Sequence, residues 1–191
     1  MTHKKEAEKG INEQELNLQL VFDSTLQLLK FDNIQDIFDF SSKKIHELLN
    51  SKSIVIITEF DESISTWKIC SISGMDGLEK MSSLIGIDVA EMTGKVDSKF
   101  ADEIVEGELT RLSDSLVDLT GGNISRNLEP IIKKIIGFKA VYTIAFKKDT
   151  RFYGNVTIIQ RNRSAEPDKE LIESFIKIVS LFIDKLSLKK Q

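Results

Sequence analysis

Apolar positions recur at spacings of three, four and seven from Leu16 to Phe31, through Leu18, Val21, Phe22, Leu28 and Leu29, which predicts an amphipathic helix. A second stripe, formed by Ile34, Ile37, Phe38, Ser41, Ile45, Leu48 and Leu49, predicts another helix that ends near Asn50. Asn33 is placed to accept from an early backbone N–H of that helix, and Asp36 suits its positive end. From Ser53 to Phe60 the pattern becomes short and dense in Ile and Val, as in a strand covered on both faces. Ser65 to Gly74 alternates Trp67, Ile69 and Ser71 against Lys68, Cys70 and Ile72. With turn-like Asp61-Glu62-Ser63 between them, the two segments are expected to pair as a hairpin.

Met75 to Gly107 has no single period. Met75 to Leu84 is read as a short helix, and Val96, Phe100 and Ile104, spaced by four, as part of another, the two crossing over the sheet. Glu108 to Asp114 is expected to be a brief strand, followed by a loop whose Gly121-Gly122 pair admits unusual backbone angles. Asn123 then caps an expected helix to Ile136, with Ile124, Leu128, Ile131, Ile132 and Ile135 along one side. Phe138 to Lys147 and Phe152 to Gln160 are rich in β-branched and aromatic residues and flank the polar turn Lys148-Asp149-Thr150-Arg151, predicting a second hairpin. A last helix is expected from Asp168 to Lys189, with Pro167, Asp168 and Glu170 at its start and Lys185, Lys189 and Lys190 at its end. Two hairpins and a lone strand, with helices before, between and after, point to an α+β fold with a mostly antiparallel sheet. Residues 1–15 carry almost nothing to bury and are expected to be a flexible tail, leaving 16–189 as a single domain.

The last helix is unusually apolar. Between Leu171 and Leu188, eleven of eighteen residues are Leu, Ile, Val or Phe, whereas a helix with one buried face needs about three in seven. It therefore calls for two neighbours. The sheet is one, and the leucine-rich first helix is the other, supplied either by the same chain or by a second copy.

Composition narrows the function. Hydrophobic residues are 41% and charged residues 29% of the 191, so the chain should fold. A net charge of −4 disfavours nucleic acid and anionic membrane as partners. One cysteine, Cys70, permits neither an internal disulfide nor a multi-cysteine metal site and fits a cytoplasmic location. No apolar run is long enough to span a bilayer. His3 and His46 are the only imidazoles, and His46 falls on the polar side of its helix, where it is expected to be solvated. Neither a catalytic constellation nor a metal or cofactor site emerges.

The element order, with Leu29-Lys30-Phe31-Asp32-Asn33-Ile34-Gln35-Asp36-Ile37 opening the second helix and Gly154-Asn155-Val156-Thr157-Ile158 closing the sheet, resembles a GAF domain. More narrowly, it is similar to the GAF-like sensor segments of multi-domain histidine kinases from methanogenic archaea. The resemblance covers most of residues 16–188. It implies five or six antiparallel strands, terminal helices on one face, and a pocket on the other beneath crossover helices. It further implies a small-molecule ligand, or simple relay of a signal through the terminal helices to an output domain, with a homodimer formed through those helices. Cyclic-nucleotide members carry an Asn-Lys pair followed by a spaced Phe and Asp-Glu; Lys99-Phe100-Ala101-Asp102-Glu103 lacks both the pair and the spacing. Bilin-binding members attach their chromophore through a cysteine near the pocket, whereas Cys70 falls in an expected strand. If the parent is a kinase, this chain is a fragment of it, since neither the histidine-bearing helix nor the ATP-binding domain is present.

Within that frame seven residues are candidates for ligand contact. Thr120, Asn123, Ser125 and Arg126 surround the Gly121-Gly122 helix entry, whose N–H groups and partial positive charge suit a carboxylate or phosphate; the same pattern is also ordinary loop chemistry. Arg111 lies at the expected pocket edge, or is simply a surface arginine. Trp67 and Tyr142 are strand aromatics that either stack on a flat ligand or fill the core. The leading expectation is a cytoplasmic sensory module. The alternatives are a purely structural dimerisation module and a small enzyme or redox sensor using Cys70.

Overall fold

A computed structural model describes residues 15, 17–61, 63, 65–75, 82–83, 86, 88–95, 107–112, 114–120, 122–162 and 164–189. The expected tail, most of the Met75–Leu84 helix and the whole Val96–Ile104 stripe lie outside the described residues.

Helix α1 covers 17–28 and α2 covers Ile34–Leu48. Asn33 caps α2 as its sequence position suggested, its Oδ1 accepting from the Asp36 N–H at 2.8 Å. The strands are β1 (Ile54–Asp61), β2 (Thr66–Ser73), β3 (Thr93–Lys95), β4 (Thr110–Arg111), β5 (Phe138–Lys148) and β6 (Arg151–Arg161). A 3-10 turn, Val89–Glu91, precedes β3; α3 (Leu116–Leu119) and α4 (Glu129–Ile136) lie between β4 and β5, and α5 (Lys169–Leu188) follows β6. All pairings are antiparallel, in the order β3-β2-β1-β6-β5-β4. Two hairpins therefore meet through their β1 and β6 strands at the centre of a six-stranded sheet, and the α+β expectation holds.

The two faces have separate cores. Val55 and Ile57 of β1, Ile144 and Phe146 of β5, and Val156 and Ile158 of β6 meet α2 and α5, with Phe38, Phe146 and Phe175 fully buried and Leu28 of α1 in the same cluster. Helix α5 buries Ile172, Phe175, Ile176, Val179, Ile183 and Leu186, a spacing of three and four that lays one stripe against β5 and α2. The first and last helices thus share one side of the sheet. On the other side Ile54, Val141 and Ile159 pack with Val89, Met92, Leu112, Leu116, Ile124, Ile132 and Ile136.

Three local expectations are corrected. The helix expected from Asn123 to Ile136 begins only at Glu129, because Pro130 lacks an N–H and its ring clashes with the carbonyl four residues earlier. A separate one-turn helix, α3, stands where a loop was expected, capped by Ser115 Oγ accepting from the Asp118 N–H at 3.2 Å. The alternation in β2 breaks at Cys70. Ile57 faces Ser71 while its neighbour Thr58 faces Ile69, leaving Cys70 as the extra residue of a bulge. Beyond it, Ser71 turns toward α2, where its hydroxyl meets that of Ser42 at 2.8 Å, and Ile72 joins the opposite core.

His46 is only partly exposed: it sits in the last turn of α2 with its ring against Gly74, and its Nδ1 is buried with no hydrogen-bond partner among the described residues.

Candidate functional site

The face away from α2 and α5 carries a half-open apolar cavity of about 110 Å³. Its floor is the sheet: Ile56 and Thr58 from β1, Trp67 and Ile69 from β2, and Asn155, Thr157 and Ile159 from β6 all point one way because alternate strand residues share a face. Register confirms this, with Thr58 opposite Asn155 and Ile56 opposite Thr157. Val89 and Met92 close one side; Leu116, Leu119, Thr120, Ile124, Ile132 and Ile136 close another. Trp67 lies across the backbone of its register partner Gly94, where no side chain intervenes.

The α3–α4 wall is tied by one carboxylate. Glu129 Oε1 accepts from the Leu116 N–H at 2.7 Å and meets Lys133 Nζ at 2.9 Å; Lys133 first, then that N–H, hold its carboxyl below the usual carboxylate range. Thr120 is also committed. Its hydroxyl donates to Leu116 O at 2.8 Å and accepts from the Ile124 N–H at 3.2 Å.

A buried polar network crosses the floor. Thr143, fully buried, donates its hydroxyl proton to Val156 O at 3.1 Å and so can only accept from Asn155 Nδ2, also at 3.1 Å. This orients the amide: Nδ2 also donates to Thr157 Oγ1 at 3.0 Å, and Oδ1 accepts from the Thr58 hydroxyl at 2.6 Å. No charged side chain lines the cavity among the described residues.

Of the seven residues singled out in the sequence, Trp67 and Thr120 line this cavity. Asn123 stands beside it, its Nδ2 donating to Thr120 O at 2.9 Å and Thr93 O at 3.4 Å. It caps no helix. Ser125 and Arg126 are exposed in the turn before α4, so the helix entry that was to hold an anion is not formed there. Tyr142 packs on the helix-bearing face, with its hydroxyl donating to Glu166 at 3.2 Å; burial, then Glu166, push its pKa up. Arg111, its register partner, is exposed and 3.8 Å from Asp114. Sequence reading missed Asn155, Thr58 and Thr157, although polar residues two apart in the otherwise apolar run of β6 were the available signal.

Cys70 lies outside the cavity, half-buried against the other core. Burial, then the Glu59 carboxylate, push its thiol up to about 11. Among the described residues no cluster of His, Cys, Asp and Glu could hold a metal ion, and no helix is long and apolar enough to cross a membrane.

Comparison with solved structures agrees with this architecture. The chromophore-binding domain of a bacteriophytochrome from R. palustris superposes with a TM-score of 0.66 at 8% identity, covering 93% of this chain and 63% of that one. A cyanobacteriochrome GAF domain gives 0.57 at 17% identity, covering 84% and 95%. A methyl-accepting chemotaxis protein fragment, residues 122 to 287, gives 0.58 at 13% identity, covering 87% and 98%. A further neighbour, with bound biliverdin, gives 0.57 at 12%. The fold is the GAF fold. No protein-family model and no curated protein matches the sequence.

Proposed function

We propose that this chain is a GAF-type sensory module, in which a small molecule in the cavity changes the packing of the terminal helices and so informs an attached output domain, such as that of a histidine kinase. The observation that carries this reading is the two-sided β6. Asn155 and Thr157 face the cavity, while Val156 and Ile158 between them pack in the core of α2 and α5. To shift a population appreciably, the ligand must favour one helix arrangement by a few kcal/mol.

A bilin, as bound by a structural neighbour, does not suit this site. Among the described residues the cavity presents no cysteine for a covalent link and no charged group for propionates, and its volume of about 110 Å³ is far short of an open-chain tetrapyrrole. Cys70 chemistry is equally disfavoured, since a thiol at about 11 holds roughly one thiolate in ten thousand at neutral pH.

Homodimerisation through the terminal helices is part of the proposal. Leu18, Phe22, Leu26 and Leu29 of the first helical segment are 45% to 70% exposed, and Leu181 and Leu188 of α5 about half exposed. A dimer without a ligand is the second reading, and the same surface favours it.

Native mass spectrometry of the purified chain, combined with spin-label distances between exposed positions Gln27 and Lys185 in a Cys70→Ser background, separates the two. A retained small molecule whose removal changes the distance supports the sensory reading. Binding with no distance change overturns the relay, and a dimer that neither retains nor accepts any small molecule leaves only the structural role.

A further inference from the structure

We infer that the ligand is neutral, the size of a single substituted ring, and bears a hydrogen-bond acceptor that docks on the Thr157 hydroxyl. This rests on the reading of the cavity as the ligand site and adds the chemical class.

Three observations carry it. The first is charge: with no ionised side chain lining the cavity among the described residues, a phosphate or carboxylate would lose its hydration without gaining a counter-charge. The second is size and surface. Ile56, Ile69, Ile124, Ile132, Ile136 and Trp67 line a half-open apolar pocket of about 110 Å³, less than the ~150 Å³ cavity that takes benzene, so a single ring is the most it seats, with the rest of the ligand at its open side.

The third is the direction of the hydrogen bonds. Thr143 commits its proton to Val156 O, so the Asn155 amide must turn its NH₂ toward Thr143 and Thr157. Thr157 Oγ1 therefore accepts, and its own proton meets no acceptor among the described residues. Asn155 has both N–H groups engaged, and Thr58 donates to Asn155 Oδ1. Thr120 donates to Leu116 O. Apart from the Trp67 indole N–H, whose ring lies against the Gly94 backbone, the Thr157 O–H is the one side-chain donor on the described cavity wall left unused, and a carbonyl or ring nitrogen on the ligand completes it.

Acetophenone, isopropylbenzene and benzoate have the same number of non-hydrogen atoms and differ in this chemistry alone. Binding to the full chain is measured by calorimetry and by thermal shift. At a hundredfold excess over its Kd, acetophenone should raise Tm by roughly 5–10 °C, and benzoate should bind at least about a hundredfold more weakly. Thr157→Val should lower the acetophenone-to-isopropylbenzene affinity ratio about fivefold, and Thr157→Ser, which keeps the hydroxyl, should restore it. Ile69→Phe, which places a ring in the cavity from a strand position that tolerates aromatics, should abolish binding of both neutral probes.

Benzoate binding as tightly as acetophenone, with Ile69→Phe blocking it, would overturn the neutral class while leaving the cavity as the ligand site. An affinity ratio untouched by Thr157→Val would overturn the docking role of the hydroxyl. Failure of all three probes, or binding indifferent to Ile69→Phe, would overturn both the class and the site.

Discussion

Substituting Gly154 by alanine is expected to be among the most damaging single-methyl changes in the molecule. Gly154 is buried in β6, pairs with Glu59 of β1 and Phe146 of β5, and has a φ of +145°. A Cβ there would stand 2.0 Å from the Thr58 carbonyl oxygen, 2.9 Å from the Thr58 carbonyl carbon and 3.0 Å from Glu59 Cα. All three are backbone atoms of a central strand, so no side chain can swing aside; β1 and β6 must separate. The backbone conformation alone costs about 1–3 kcal/mol for a residue with a side chain. One or two weakened ladder bonds add about 0.5–1.5 kcal/mol each. The total, about 1.5–6 kcal/mol, is a large part of the roughly 5–15 kcal/mol that holds a domain together. Urea unfolding should show a lowered midpoint with an unchanged slope, and Tm should fall by about 3–24 °C. Gly122→Ala is the control, since its φ of +85° carries the backbone cost but nothing lies within 4 Å of its Cβ position. A Gly154→Ala loss below about 1 kcal/mol, or one equal to that of Gly122→Ala, would refute the claim that the β1–β6 approach is set by this missing side chain.

Native Cys70 should react with iodoacetamide at pH 8 about a hundredfold more slowly than in the urea-unfolded chain, because burial and Glu59 raise its thiol from 9.0 to about 11. The sign follows from the folded state holding the proton more tightly: the stability from the protonated thiol is complete below pH 9 and is lost as pH rises toward 11, so equal rates in the two states would contradict it. Phe22→Glu combined with Leu181→Glu should weaken or abolish any dimer in sedimentation equilibrium while leaving Tm of the monomer nearly unchanged, since both side chains are at least half exposed. Asp168→Ala should cost about 0.5–2 kcal/mol in urea unfolding, because Asp168 Oδ1 caps α5 by accepting from the Leu171 N–H at 3.0 Å.

The hairpins and end helices were legible because each carries an unbroken period. Phe138 to Lys147 reads as one strand from composition alone, and the actual β5 ends one residue later. The apolar excess of α5 was also informative: its buried stripe lies against β5 and, where the first helix was expected, α2, while Leu181 and Leu188 stay about half exposed. Legibility failed where one residue overrules a period. Ile124, Leu128, Ile131, Ile132 and Ile135 keep helical spacing across Pro130, yet Pro130 divides them, so the stretch before it turns inward as cavity wall instead of presenting helix N–H groups to an anion. Cys70 likewise resets the parity of β2, which alternation cannot reveal without knowing the partner strand. Tyr142 shows the same dependence. An aromatic in a two-sided strand belongs to either face, and only the register with Thr157 and Ile158 of β6 turns it toward α5's side.

For the proposed relay, β6 is the strand that would connect the cavity to the helices. Asn155 is buried beneath the cavity and bonded to Thr58, Thr143 and Thr157, so it joins three central strands through one amide. Its neighbour Gly154 sits where the register shifts in β5, between Phe146 and Lys147, and close to the shift in β1, between Ile57 and Thr58. Tyr153, two positions from Asn155, would share its face by alternation, but the register shift with β5 leaves it between the paired Phe152 and Gly154, so it packs with the α2–α5 core and donates its hydroxyl to Asp184 of α5, which also lies 3.5 Å from Arg151. In the proposed relay, a ligand bonded to Thr157 would alter the acceptor available to Asn155, and with the close β1–β6 approach at Gly154 leaving little slack, the adjustment would reach Tyr153 and its partner Asp184. The proposed path would run through one amide, one glycine and one tyrosine on consecutive positions of β6, where a bulge turns Tyr153 away from the cavity and into the other core.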